Sequence, residues 1–207
     1  MKTENDFKRA LAQLPSKEKD KLIWRLLKRD SLLTKKLHFE LVGQDNVEQR
    51  RTAMEEKVIE RVAEASFSYY SPSYLLLDLR SISAGITEHV KITSDKYGEI
   101  SLNLLMLTLA LILNEESLQK ATPKRLQSLY TYIVARSFKT LVLIQALGMD
   151  WFVAFEEKLS ELSTYFHHIK KLETVAINNG LQIEWLLNIP DNIDKIHREI
   201  RDAGLLK

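Results

Sequence analysis

Three residues on one predicted helix come nearest to a constellation that could do chemistry. Glu157, Glu161 and His168 stand at i, i+4 and i+11, which keeps them within about 40° of one helical face. Carboxylates and an imidazole on a shared face are the donors of a mixed oxygen–nitrogen metal site. The adjacent His167 cannot join them, because successive helical residues point about 100° apart. Neither the Glu-x-x-His of di-iron bundles nor the His-Glu-x-x-His of zinc proteases occurs. The expectation is therefore two ordinary, partly exposed histidines near a helix end, with no metal. His38-x-Glu40 and Glu88-His89 lie in helical patterns, not in the Gly- or Ser-rich loops that display reactive groups. No phosphate loop, nucleophile elbow or kinase signature is present. The chain has no cysteine, which excludes disulfides, thiol catalysis and Cys-ligated zinc. No catalytic, cofactor-binding or metal-ligating residue is assigned, and an enzyme is not expected.

A second group is aromatic: Phe67, Tyr69, Tyr70 and Tyr74. Exposed, these rings would make an adhesive patch for a peptide or for stacked bases. Buried, they would pack a turn between two long helices with their hydroxyls paired. The intervening Ser71-Pro72 is a helix-start signal, so the buried hinge is the reading preferred.

These residues need elements to hold them, and the organising element is Leu102–Leu113, LNLLMLTLALIL, interrupted only by Asn103 and Thr108. A helix apolar all round must be enclosed. Twelve residues span roughly 18 Å, short of the ~30 Å hydrocarbon core of a bilayer, so the run is read as a buried core helix. Its Leu, Met and Ala content favours helix over strand. Leu105→Asp is expected to unfold the protein. Asn114 is a plausible end, and Thr93–Gly98 reads as the loop before it. Around this run the sequence gives amphipathic helices. Three short ones occupy residues 7–42, with Phe7, Leu11 and Leu14; then Leu22, Ile23, Leu26 and Leu27 behind a Ser16 cap; then Leu33, Leu37 and Leu41. A long helix, 46–67, follows with Met54, Val58, Val62 and Ala65. Another starts at Pro72 and carries Gly85 inside its pattern. Thr122-Pro123 opens a helix closed by Gly148. Asp150 caps the next, with Phe152, Phe155, Leu159, Leu162, Phe166 and Ile169. Two short pieces, Leu181–Leu187 and Pro190–Ala203, finish the chain. No stretch alternates with period two. The fold class expected is all-α: about nine helices in one domain over 1–207, as an irregular bundle or stacked helical hairpins around a buried central helix. Residues 1–43 form a possible three-helix N-terminal subunit.

Charge is uneven. Residues 1–51 hold thirteen Lys/Arg and eight Asp/Glu, a net +5; the remaining seventeen and twenty give −3. A basic arm fits nucleic acid or an acidic partner, whereas the interspersed acids fit a solvated mixed-charge surface. The N-terminus lacks the apolar core of a secretory signal, so the cytoplasm is expected, without membrane association.

Two resemblances attach to these residues. Phe7–Ser31, with its helix, Leu14-Pro15 and Glu18-bearing helix, resembles the opening of the DNA-binding region of sigma factors. The residues after Asp30 lack the small-residue turn and recognition helix of that region. The order of a Leu11-x-x-Leu14-Pro15 helix pair, then Phe67-x-Tyr69-Tyr70-Ser71, then a helix and an apolar helix resembles a family of bacterial all-helical proteins catalogued as a domain of unknown function. The likeness covers residues 7–115 and implies an all-helical fold and a bacterial cytoplasmic setting, without an activity. The function expected is a non-catalytic helical protein-interaction module that binds a protein partner or forms a homo-oligomer. The alternative is a nucleic-acid-binding protein using its basic N-terminal helices.

Overall fold

The structure, a computed structural model, describes residues 2–206. Among them are ten α-helices and two 3₁₀ stretches and no strand: α1 (Lys2–Gln13), α2 (Ser16–Leu27), α3 (Ser31–Leu41), α4 (Val47–Phe67), α5 (Pro72–Thr93), α6 (Lys96–Lys120), α7 (Pro123–Leu147), α8 (Glu156–His168), α9 (Lys170–Asn178) and α10 (Ile193–Asp202). The all-α expectation holds.

Local chemistry explains most starts. Asn46 and Gln49 exchange side-chain and backbone hydrogen bonds in a capping box at the head of α4. Ser71 caps α5 with Pro72 in its first turn. Asp30 accepts from the Leu33 N–H at 2.9 Å. Two expected caps are not formed. Ser16 is already the first residue of α2, behind Pro15. Asp150 sits inside a 3₁₀ stretch, Met149–Phe155, so the apolar ladder from Phe152 to Ile169 is not one helix. It breaks again at Ile169, between α8 and α9. The stripe survives the breaks: Phe155, Leu159, Leu162, Phe166 and Ile169 are all buried.

The central helix is longer than the apolar run that announces it. Residues 93–98 are not a loop, since Ser94 in the left-handed region makes the turn and α6 begins at Lys96. Asn114 does not end α6. It is buried within it, donating to Ser66 Oγ of α4 at 2.8 Å and to the Ala110 carbonyl. The 25 residues of α6 span roughly 37 Å, so length no longer argues against a bilayer. By length and composition it is, among the described residues, the one helix apolar enough to cross a membrane, but 67% of its most apolar window is buried within the fold. Helices α4, α5, α7 and α8 pack on it, and α9 and α10 cover α7. Leu102, Leu104, Met106, Leu107 and Leu111 are fully enclosed. Leu105 and Leu109 are only partly buried, and Leu113 is about half exposed.

Gly85 does not interrupt α5. A Cβ there would meet only the Met54 methyl of α4, at 3.4 Å, an ordinary contact, so the position sits at the α4–α5 seam without strain. The first three helices differ from the rest. The core cluster begins at Val58, and no residue of α2 or α3 is buried. Helix α3 rests on α5, with Lys35 paired to Glu88 at 2.6 Å and Phe39 under the Arg50 guanidinium; α2 packs on α3.

Candidate functional site

The titratable residues singled out in the sequence do not converge. Glu157 and Glu161 are exposed on α8, and His168, at its end, lies 2.9 Å from Glu115 Oε1 of α6. His167 faces Glu173 of α9 at 3.4 Å. Among the described residues no group of three or more His, Asp or Glu is placed to hold a metal ion. Both histidine contacts join separate helices at partly exposed carboxylates.

Glu88-His89 has a part that pattern reading missed. His89 is partly buried, its ring tucked beside Asp95 with Nε2 3.6 Å from Asp95 Oδ2, beyond hydrogen-bond length. Asp95 accepts two hydrogen bonds from Arg51 of α4, at 2.7 and 2.9 Å, and one from the Gly98 N–H at 2.8 Å. It therefore caps α6 and ties it to α4 at once. Arg51 also stacks 4.6 Å over the Tyr97 ring, which packs against Phe155. Burial alone would raise the Asp95 carboxyl, yet the Arg51 fork and the Gly98 N–H hold it below the ordinary carboxylate range. Burial, with Arg51 and Arg50 nearby, pushes His89 down despite the pull of Asp95. A Cβ on Gly98 would fall 2.1 Å from Asp95 Oδ2, so residue 98 must be glycine for the carboxylate to sit there. The Asp95 carboxylate is spent on holding α6 to α4, and His89 Nε2 is left without a hydrogen-bond partner. The Tyr130 hydroxyl is similarly interred, without a partner and pushed up to about 12 by burial.

Exposed apolar surface is the better-developed feature. The turn after α4 is the expected hinge, but its rings are not buried. Phe67 is 95% exposed and Tyr70 79% exposed; Tyr70 and Tyr74 meet edge to face at 5.2 Å, leaving only Tyr69 partly buried. Burial fails because Phe67 lies on the outward side of α4, about 140° from the buried Val62, and Tyr74 is turned about 100° away from the buried Leu75. In the N-terminal helices Phe7, Ile23, Trp24, Leu26, Leu41 and Val42 are exposed. Between α1 and α2 runs a cleft of about 610 Å³, lined by Phe7, Ala10, Leu11, Leu14 and Leu22 with Glu18, Lys21 and Arg25. A solvated surface helix buries one stripe; α2 leaves apolar groups bare on more than one side. The basic charge of these helices is partly neutralised, with Lys8 on Glu4, Lys21 on Glu18 and Lys36 on Glu40.

Compared with known proteins, the chain matches no family model, no curated protein and no solved structure.

Proposed function

We propose that this protein is a non-catalytic helical interaction module. Its body, from α4 onward, is a scaffold, and α1–α3 form the arm that meets a protein partner. One observation carries the reading: α2 and α3 bury none of their residues, while Ile23, Trp24, Leu26 and the α1–α2 cleft expose aromatic and aliphatic groups together. Scattered exposed leucines are ordinary, whereas an exposed tryptophan with exposed aliphatic neighbours on a helix that also walls an apolar cleft is the character of a binding region. The polar clusters support the same reading from the other side, because Asp95 and Arg51 are consumed in helix packing. Nucleic-acid binding by the same arm has less support, since several of its cations already pair with carboxylates, Lys8 with Glu4, Lys21 with Glu18 and Lys36 with Glu40.

A photo-crosslinking residue at position 26, in the full chain and in its native cell, tests the proposal. Crosslinks are expected there and absent from a control probe at Gln127, on the outer side of α7. Equal yields from both positions, or none from either, would overturn it.

A further inference from the structure

We infer that the α1–α2 cleft takes up the outer face of α4 from a second copy of this chain, with Phe67 as the anchor. The inference rests on the interaction reading above and supplies its partner. The outer face of α4 carries two parallel ridges. Ile59, Ala63 and Phe67 follow at i, i+4 and i+8, all exposed; beside them Glu56, Glu60 and Glu64 follow at the same spacing, also exposed. Among the described residues none of these three glutamates has an ion-pair partner. An apolar ridge beside an unneutralised acidic rail calls for an apolar surface with basic neighbours.

The arm is that surface. Its cleft is lined by apolar groups with Glu18, Lys21 and Arg25, of which Lys21 is paired to Glu18, and Arg25, Lys28 and Arg29, in the last turn of α2 and just past it, have no carboxylate within ion-pair distance among the described residues. The complementarity holds at the scale of the chain, +5 over residues 1–51 against −3 over the rest. Phe67, almost wholly exposed at the end of the acidic rail, is an aromatic anchor of the kind that fills pockets at interface centres. Each chain carries both surfaces, so two copies can exchange arms reciprocally and close the assembly with a two-fold axis. The charges orient the encounter and the rings supply the buried area.

Sedimentation velocity of the full chain at roughly 0.05 M and 0.5 M salt reads the association. A dimer weakened by salt is expected. Phe67→Asp should retain its helical melting curve, because the side chain packs on nothing, and raise the dissociation constant roughly hundredfold. Glu60→Lys/Glu64→Lys and Lys21→Glu/Arg25→Glu should each be monomeric alone. Mixed, they should restore the dimer, because opposite charges then meet at both contacts. A dimer that ignores Phe67→Asp and both charge reversals would overturn the inference, as would a monomeric wild-type chain at about 100 µM, well above the dissociation constants of specific interfaces. If the wild type is monomeric yet the position-26 probe captures a different protein, self-docking is wrong and the interaction reading stands. A monomer without crosslinks removes both.

Discussion

In α6, Leu102, Leu104, Leu107 and Leu111 are closed off from water on every side, whereas in α2 Ile23, Trp24 and Leu26 stand in it. Both helices are rich in leucine, and both are flanked by charged residues. They differ in neighbours: α6 is walled by four helices, and α2 has α3 and one side of a cleft. Burying a leucine is worth roughly 1.5–3 kcal/mol, so the body holds itself together while the arm leaves comparable stabilisation unused. A surface that forgoes burial within its own chain is available for burial against another.

The largest effect that tests this contrast is a charge placed in each region. Leu107→Asp should abolish folding or leave the protein insoluble, because an unpaired carboxylate would enter the core. Trp24→Asp should shift the thermal midpoint little, within about 0.5 kcal/mol. A marked loss from Trp24→Asp would mean the arm is part of the core after all. Leu105, the position the apolar run points to, is a weaker probe, since it is only partly buried beside a slot of about 90 Å³ that Lys158 also lines.

Next in size is the pin between α4 and α6. Asp95→Ala leaves Arg51 partly buried without its partner and removes a helix cap; it should cost about 3 kcal/mol in denaturant unfolding. Gly98→Ala should act in the same direction by displacing the carboxylate, whereas Lys28→Ala in the arm should be close to neutral. Equal losses from Asp95→Ala and Lys28→Ala would erase the contrast.

A smaller effect is the pH dependence. His89 is lowered by burial and by Arg51 and Arg50, so the folded state binds its proton less readily than the unfolded chain. Its contribution is fully present above the ordinary histidine value near 6.5 and is lost as pH falls toward the depressed folded value. Asp95 is also depressed; its contribution is present above the ordinary value near 3.9 and disappears below it as pH falls through the folded one. Stability should therefore decline on acidification in two stages, at no more than about 1.4 kcal/mol per pH unit for each proton. His89→Gln should flatten the first stage only in part, because His197 is lowered by burial too. An unchanged slope would show that His89 is not held neutral.

The smallest effect concerns the arm as a whole. Removal of residues 1–28 should lower the stability of the body by less than about 1 kcal/mol, since among the described residues none of α1 or α2 belongs to the core cluster. Cooperative loss of the α5 and α6 signals on truncation would show that the arm supports the body.

Much of the body was legible in the sequence for a simple reason. Val58 and Val62, or Leu159, Leu162 and Phe166, repeat at the period of the helix, and a repeating apolar face must be covered. Boundaries were less legible. The ladder from Phe152 to Ile169 continues through two breaks, because a 3₁₀ stretch and a bend can keep the same side chains inward. The Arg51–Asp95 pair joins residues 44 apart in sequence, and no local pattern marks it. The one available signal was Asp95 three residues before Gly98, a cap followed by a residue without a side chain.

The sequence by itself determined that this chain is helical, that Leu102–Leu113 lies at its centre and that its charge is split between arm and body. Tertiary structure decided which apolar faces are covered. Ile23 and Leu26 satisfy the same hydrophobic pattern as Leu159 and Leu162 yet stay exposed, because periodicity records only that a face is apolar. Whether water leaves it depends on how many other helices the fold brings within van der Waals contact, and only the packed chain settles that.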